Sequence, residues 1–335
     1  MPLDKQIGFW PVVAALVGNS LIAVIKFIAA AISGSSVLFA EAIHSVADTL
    51  NQTLLLIGIR RSLKKADPEF GYGYGIERFF WALIAACGIF FVGAGITAYR
   101  GITALAKPSH IEVSPVIFAV LLLSLIIESY TLWIAIRSLR KHYPRLTWRK
   151  RLSRADPSTL AVFLEDSVAV LGVLVAALSI SVTYYTENPV WDAAGSIVIS
   201  ILLAAVAVIL IVKNRAYLIG RSMPRSLQKR VMDLIAADPV FEKIIDFKSI
   251  AVGFDTYRIK CEVEFNGVAL LREQYQQQAL REDYEKVAGD YEAFKKFSAE
   301  YADRIPRLMG KKIDEIEKKI RTAVPQVRHI DIEIN

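Results

Sequence analysis

The sequence predicts an α-helical membrane domain with six transmembrane helices, followed by a soluble α+β domain. Of the 335 residues, 54% are hydrophobic, which is more than an ordinary soluble protein of this length contains. The long apolar runs all end before residue 213, and the rest of the chain has the composition of a soluble domain. We therefore expect residues 1–212 to form the membrane domain and residues 213–335 to form one compact unit.

Six apolar runs in the first domain are long enough to cross a membrane. A helix rises about 1.5 Å per residue, so about 20 residues cross the roughly 30 Å of hydrocarbon in a bilayer. The first run is too long for a cleavable signal and is taken as the first span. The predicted spans are 10–32, 36–59, 79–99, 113–136, 158–182 and 191–212.

Lysine and arginine residues predict the orientation, because cytoplasmic loops carry an excess of them. Loop 60–78 has five, loop 137–157 has eight and loop 100–112 has two, while Lys5 precedes the first span. Both termini and the soluble domain are therefore expected in the cytoplasm. The N-terminus lacks a transit-peptide composition, which favours a bacterial inner membrane. The net charge of +7 fits basic loops at anionic lipid, and no nucleic-acid partner is expected.

One face of span two carries polar side chains within a membrane segment. At 100° per residue these side chains fall within about a third of the helix circumference. An ionisable group inside a bilayer costs about 2.5–3.5 kcal/mol on insertion scales, unless it faces protein, water or an ion. The stripe therefore predicts an ion pathway, with hydrogen bonding between helices as the alternative. Its members are Glu41, His44, Asp48, Asn51 and Gln52.

His44 and Asp48 are four residues apart, so their side chains converge on one region of the helix face. Imidazole nitrogen and carboxylate oxygen suit Zn²⁺ and other late divalent metals. Two ligands leave a tetrahedral site incomplete, and span five offers Glu165 and Asp166. Counted from the cytoplasmic ends of their spans, Asn19, Asp48 and Asp166 lie at depths of about 12–16 Å. These depths are compatible with one layer.

Glu41 lies nearer the outer end of span two, at a depth similar to that of Lys26 in span one. An ion pair between Lys26 and Glu41 is the expected role, and metal ligation by Glu41 is the alternative. Glu128 stands alone in span four. The sequence leaves open whether Glu128 accepts a proton or pairs with a cation.

Several stretches together resemble the cation diffusion facilitators. They are SGSSVLFAEAIHSVADTLNQ, FGYGYGIERF, WDAAGSIVIS and LIGRSMP, while LEDSVAVLG and the ending PQVRHIDIEIN look most like the zinc-transporter-nine-like branch. The resemblance implies a six-span homodimer that exports cytosolic Zn²⁺ in exchange for protons. It also implies a cytosolic ferredoxin-like domain, no enzymatic activity and no organic cofactor.

The family's transport site usually combines HxxxD or DxxxD in span two with HxxxD in span five. The resemblance assigns His44, Asp48 and Asp166 to this site, whereas Val162 occupies the remaining histidine position. Glu165, or Asn19 from span one, is then expected to complete the coordination. The loss of one imidazole makes Mn²⁺, Fe²⁺ or Co²⁺ an alternative cargo.

A non-transporting regulatory partner of another facilitator is a further alternative. No HExxH or GxxxxGK[ST] motif occurs, so neither a metalloprotease nor an ATP-driven pump is expected.

Periodicity in residues 213–335 predicts the element order αββαβ, which is consistent with the family's ferredoxin-like domain. An insertion at about 268–307 carries aromatic residues at helical spacing. These residues are expected to pack on their own domain, with a partner surface as the alternative. The predicted elements are helix 224–237, strands 247–253 and 257–265, helix 308–322 and strand 327–334.

Two places outside the membrane are candidates for a second metal site. His329 and Asp331 alternate on the last strand and face the same side, and the resemblance makes this pair a candidate cytosolic site. Many relatives also carry histidines in the loop before span three. This chain has Phe70 and Tyr74 there, with only Asp67 as a ligand, so no site is expected in that loop.

Overall fold

The structure is a computed structural model that describes residues 9–107, 113–142, 147–155, 157–274 and 277–335. Lys5, which enters the predicted orientation, lies outside the described residues. The chain divides into two compact units, Met1–Ile219 and Gly220–Asn335. This division falls later than residue 212, because the last long helix of the first unit continues to Leu218.

Long helices occupy the ranges in which the spans are predicted. The third predicted span lies in the continuous helix Glu77–Ala106, which contains a π-helical segment at Ile89–Ala94. The helices of the first unit are α1 Phe9–Ser33, α2 Ser36–Ser62, α3 Glu77–Gly88, α4 Gly95–Ala106, α5 Pro115–His142, α6 Trp148–Arg154, α7 Pro157–Thr186 and α8 Val190–Leu218.

Within the described residues, four helices are long and apolar enough to cross a membrane. The apolar stretch Asn19–Ser33 of α1 is shorter. Helix α2 has the length but carries Glu41, Asp48 and a basic C-terminal turn, which lower its hydropathy. The first unit is thus a helical membrane domain with four strongly apolar helices. They are Glu77–Ala106, Pro115–Lys141, Thr159–Thr186 and Val190–Leu218.

Small residues let α8 pack closely against its neighbours. A Cβ at Gly101 of α4 would lie 2.8 Å from Ile197 Cγ1 of α8, and a Cβ at Gly195 of α8 would overlap Ser179 Oγ of α7. Small residues at helix contacts allow backbones to approach within a membrane domain, where van der Waals packing drives association. The glycines therefore fix the α4–α8 and α7–α8 contacts.

Asp192 of α8 caps the N-terminus of α2 from a distant part of the chain. Its Oδ2 accepts hydrogen bonds from the backbone N–H groups of Ser36 at 2.6 Å and Val37 at 3.3 Å. Its Oδ1 accepts from the Ser35 hydroxyl. A negative charge at a helix N-terminus satisfies unpaired N–H groups and complements the helix dipole. Asp192 therefore holds the start of the helix that carries the polar stripe.

The variant Asp192→Asn is expected to lower the free energy of unfolding by about 1–3 kcal/mol, because one charged acceptor of buried hydrogen bonds is lost. Thermal unfolding in detergent measures this change. Asp314→Asn removes an exposed carboxylate and serves as the control, with an effect within about 0.5 kcal/mol. Equal melting temperatures for the two variants would contradict the capping role.

The second unit contains a small sheet with order β1-β2-β3 among its described residues. Strands β1 and β2 are antiparallel, and β2 and β3 are parallel. Buried apolar side chains of strands and helices, including Ile259, Val263 and Ile316, form its core. The elements are α9 Arg225–Ala236, β1 Phe241–Gly253, β2 Thr256–Phe265, α10 Gly267–Gln274, α11 Gln277–Val287, α12 Tyr291–Ala323 and β3 Val327–Ile334.

The first strand begins at Phe241 rather than at residue 247. Its register shifts between Phe241 and Lys243 and again between Ile244 and Asp246. Such irregularities insert an extra residue and break the period-two alternation. The sequence pattern therefore reveals only the second half of the strand.

The last helix begins at Tyr291 rather than at residue 308 and continues through Pro306. The predicted insertion is helical, but its second half belongs to this long helix. Gly289 has a φ of +88°, and Asp290 accepts hydrogen bonds from the backbone N–H groups of Glu292 and Ala293. A left-handed glycine followed by an N-cap ends one helix and starts the next.

The aromatic and apolar residues that recur at helical spacing in the insertion form a seam, which is divided between α11 and α12. At least half of the surface is exposed in four of its members: Leu280 at 50%, Tyr284 at 66%, Tyr291 at 74% and Phe294 at 53%. The expectation that the seam packs on its own domain is therefore wrong for these four side chains. Helical spacing alone does not indicate whether a neighbour covers the apolar face.

Candidate functional site

Helices from four parts of the first unit surround a small cavity. Asn19 of α1, Asp48 of α2, Glu128 of α5 and Asp166 of α7 line it. Its volume is about 10 Å³, which is room for about one water-sized particle. The structure thus brings together the three residues that the sequence assigns to one layer, and it adds Glu128.

The polar lining of the cavity offers oxygen atoms. Ser45 and Thr131 contribute hydroxyl groups beside the carboxylates. Among the described residues, Oδ1 of Asp48, Oδ2 of Asp166 and Oε2 of Glu128 are each buried without a hydrogen-bond partner. A buried acceptor that lacks a donor costs about 1–3 kcal/mol. A small cation in the cavity would satisfy these oxygen atoms if the three side chains turned towards it.

His44 lies one helical turn from Asp48 and is not part of the cavity lining. Its side chain is 1% exposed, and its Nε2 is 3.6 Å from Asp48 Oδ2, longer than a hydrogen bond. Neither ring nitrogen has a hydrogen-bond partner within the described ranges. His44 therefore lies next to Asp48, a residue of the cavity lining, but does not line the cavity itself.

The neighbouring carboxylates of α7 have different surroundings. Asp166 lines the cavity, whereas Glu165 Oε2 accepts a hydrogen bond from Asn51 Nδ2 at 2.5 Å. Glu165 is buried, and its Oε1 has no hydrogen-bond partner among the residues that the structure describes. Asn51, a member of the polar stripe, therefore holds Glu165 away from the lining.

The site residues do not converge on one point as they stand. No three His, Cys, Asp or Glu side chains lie close enough to hold a metal ion in the part of the chain that the structure describes. Asp48, Glu128 and Asp166 surround the cavity, and an ion bound there requires them to turn inward. The ligand set of His44, Asp48 and Asp166, completed by Glu165 or Asn19, stays a prediction.

A buried ion-paired triad lies beside the cavity. Lys26 Nζ donates to Glu41 Oε2 at 2.9 Å and to Glu128 Oε1 at 2.7 Å. The side chains of Lys26 and Glu41 are 0% exposed. A Cβ at Gly172 of α7 would overlap Glu41 Oε1, so the glycine leaves room for this carboxylate. The lysine and Glu41 meet as the sequence suggests, and Glu128 is the additional partner.

Both carboxylate oxygens of Asp67, in the loop before α3, accept hydrogen bonds from neighbouring residues of that loop. It accepts hydrogen bonds from Lys64 Nζ at 2.8 Å, the Tyr74 hydroxyl at 2.7 Å and the Phe70 backbone N–H at 2.9 Å. The bonds from Lys64 and Tyr74, followed by that from Phe70, hold the pKa of Asp67 well below its usual range. These contacts close the turn, and the adjacent lysine disfavours a cation.

His329 and Asp331 on β3 lie beside an arginine. Asp331 Oδ2 accepts from Arg258 Nε at 2.9 Å and from its terminal nitrogen at 2.6 Å. Partial burial and then the Arg258 guanidinium lower the pKa of His329. A guanidinium already neutralises the carboxylate, so the geometry favours a structural ion pair over a second metal site.

The role of Glu128 is left open by the sequence, although the sequence contains a signal for it. Glu128 and Thr131 are three residues apart and so share a helix face. A carboxylate and a hydroxyl group on one face of a largely apolar span indicate that this face meets protein or an ion. This spacing was sufficient to orient α5 towards the other polar helices.

A helical membrane unit with buried carboxylates around an ion-sized cavity has the form of an ion transporter, and residues 12–219 match the cation efflux transmembrane domain. The chain therefore belongs to the cation efflux family, which is a family of transporters and not of enzymes. This match confirms the resemblance to the cation diffusion facilitators.

Individual relatives cover nearly the whole chain. The "Proton-coupled zinc antiporter SLC30A9, mitochondrial" is 37% identical over 331 residues in Xenopus laevis and 35% identical over 328 residues in Homo sapiens. "Metal tolerance protein C4" of Arabidopsis thaliana is 36% identical over 334 residues. Each alignment covers 96% of this chain, and 59%, 58% and 72% of the respective relative.

The chain thus spans under two thirds of the length of the two animal relatives. The similarity confirms the zinc-transporter-nine-like branch.

Proposed function

We propose that this chain exports a divalent metal cation, with Zn²⁺ as the first candidate, in exchange for protons. The observation that carries the proposal is the cavity between α2 and α7, where Asp48 and Asp166 present buried, unpartnered carboxylate oxygens. The names of the animal relatives, which describe proton-coupled zinc antiporters, support the choice of zinc and of protons.

Proton exchange follows from the chemistry of the ligands. A carboxylate or imidazole must be free of a proton to bind a metal, so protons and metal compete for His44, Asp48 and Asp166. Moving a divalent ion out against an inside-negative potential costs about 4.6 kcal/mol per 100 mV, and each entering proton returns about 2.3 kcal/mol. Protons entering from the far side therefore both displace the metal and drive its export.

Metal flux into proteoliposomes tests this function. Vesicles that contain the full chain and a zinc-sensitive dye are prepared with an acidic interior, and Zn²⁺ is added outside. We expect uptake that is faster than in protein-free vesicles and that slows when a protonophore collapses the pH gradient. Uptake no faster than in empty vesicles, for zinc and for other divalent metals, would contradict transport and favour a regulatory partner.

Mn²⁺, Fe²⁺ or Co²⁺ is the second candidate cargo. The observation that favours it is the oxygen-rich lining of the cavity, from which His44 is absent. Oxygen ligands suit manganese and similar ions better than a site with two imidazoles does. The flux assay with each metal in turn separates these cargoes.

The variant Val162→His is expected to raise the preference for Zn²⁺ over Mn²⁺ by about tenfold, equivalent to about 1.4 kcal/mol. The reason is that residue 162 lies one turn before Asp166, where a second imidazole would reach the same helix face. Binding of both metals to the purified protein measures the change. Val162→Leu changes the size without adding a nitrogen ligand and is the control. An unchanged preference in the histidine variant would show that residue 162 does not face the metal.

The proposal also includes the number of spans, the fold of the soluble domain, the oligomeric state, the orientation and the membrane. Six spans are supported by the lengths of α1 and α2 beside the four strongly apolar helices. A ferredoxin-like domain is supported by the order of helix and strands in the second unit. Homodimerisation rests on the family resemblance. Cytoplasmic termini rest on the positive charge of the loops, and the bacterial inner membrane stays a prediction because the animal relatives are named mitochondrial.

A further inference from the structure

We propose that Glu128 is a metal-facing residue of the transport site and that it exchanges Lys26 for the transported cation when metal binds. This inference rests on the proposed function and adds a residue to its site. Glu128 would supply the oxygen ligand that compensates for the missing histidine at residue 162.

The two oxygen atoms of Glu128 have different environments. Oε1 lies 2.7 Å from Lys26 Nζ. Oε2 is buried and has no hydrogen-bond partner in the part of the chain that the structure describes, and the residue lines the cavity together with Asp48 and Asp166. The side chain thus joins the lysine on one side to the cavity on the other. In the proposed exchange, the Glu128 side chain turns from the lysine towards the cavity.

The balance of charge favours a cation in the cavity. Lys26 is buried between Glu41 and Glu128, whereas no lysine or arginine among the described residues pairs with Asp48 or Asp166, and Asp48 has only His44 nearby, at 3.6 Å. Buried carboxylates need a compensating positive charge, because attraction between charges is strong where water is excluded. A divalent cation would supply this charge in the cavity that Asp48, Glu128 and Asp166 line.

Lys26 has a second carboxylate that keeps it paired when Glu128 turns away. Glu41 Oε2 lies 2.9 Å from Lys26 Nζ and is 0% exposed. Glu41 does not line the cavity, and its other oxygen packs against the backbone at Gly172. The triad can therefore release Glu128 without leaving the lysine unpaired.

Glu41 and Glu128 form a matched pair for the test, since both contact Lys26 and only Glu128 lines the cavity. The purified full chain is titrated with Zn²⁺ and with Mn²⁺ in a calorimeter, and its melting temperature is recorded. Glu128→Gln is expected to weaken binding of the preferred metal by more than tenfold. Glu41→Gln is expected to lower the melting temperature but to leave metal affinity within about twofold of the wild type.

Asp48→Asn provides the positive control for loss of binding at the cavity. Affinity of Glu128→Gln equal to that of the wild type, while Asp48→Asn loses binding, would overturn the role of Glu128 and leave the proposed function intact. A wild-type protein that binds neither metal would overturn both. If the glutamine variant does not fold, Glu128→Asp keeps the charge with a shorter reach, and an unchanged affinity in that variant would equally contradict the proposal.

Discussion

Asp166→Asn is expected to lower metal transport by more than about 100-fold while the protein still folds in the membrane. Changes to residues that merely support metal ligands cost 10–100-fold in affinity or activity, and Asp166 is expected to be a ligand itself. Asparagine keeps the size of the side chain and removes its charge. Asp48→Asn is expected to have the same effect, because Asp48 lines the cavity from the opposite helix.

The neighbouring residue provides the comparison for this experiment. Glu165 is buried on the same helix, but Asn51 holds its carboxylate by a 2.5 Å hydrogen bond. Glu165→Gln is therefore expected to reduce flux far less than Asp166→Asn does. Zinc flux into proteoliposomes, with the amount of inserted protein measured in each sample, gives the ratio. Full flux in Asp166→Asn would remove this residue from the site, and a complete loss in Glu165→Gln would make Glu165 the ligand that the sequence suggests.

Lys26→Met is expected to produce the largest loss of stability, about 3–5 kcal/mol in the free energy of unfolding. The substitution leaves Glu41 and Glu128 without their shared cation, and Lys26 and Glu41 are both 0% exposed. Removing one partner of a buried ion pair costs more than removing both, since the remaining charge is uncompensated. The melting temperature in detergent should therefore fall well below that of the wild type.

A double variant separates the ion pair from simple loss of packing. Lys26→Met combined with Glu41→Gln is expected to recover part of the lost stability, and Glu128 keeps the recovery incomplete. Lys65→Met changes an exposed lysine and is expected to alter stability by no more than about 0.5 kcal/mol. If Lys26→Met melts at the same temperature as Lys65→Met, the triad does not stabilise the fold.

The positions of the helices could be predicted because long apolar runs determine them. The depth of each polar residue in its span follows from counting 1.5 Å per residue. Counting was enough to bring Asn19, Asp48 and Asp166 into one layer, and to suggest the contact between Lys26 and Glu41. Depth is a property of one helix at a time, which is why a single sequence reveals it.

Contacts that depend on which helices are neighbours could not be predicted in the same way. The pairing of Glu128 with Lys26 requires α5 to lie beside α1, and the cap on α2 requires Asp192 of α8 to lie near Ser36. Neither adjacency follows from hydropathy or spacing. In the second unit, the bulged start of β1 and the joining of the insertion to α12 were missed because register and packing override the local pattern.

The location of bound zinc shows directly whether Asp48 and Asp166 form the metal site. Anomalous diffraction at the zinc absorption edge, from crystals of the full chain grown with Zn²⁺, shows the ion without reference to any assumed ligand. We expect a peak between α2 and α7, within about 2.0–2.2 Å of carboxylate oxygens of Asp48 and Asp166. A strong peak only at His329 and Asp331, with none in the cavity, would contradict the account.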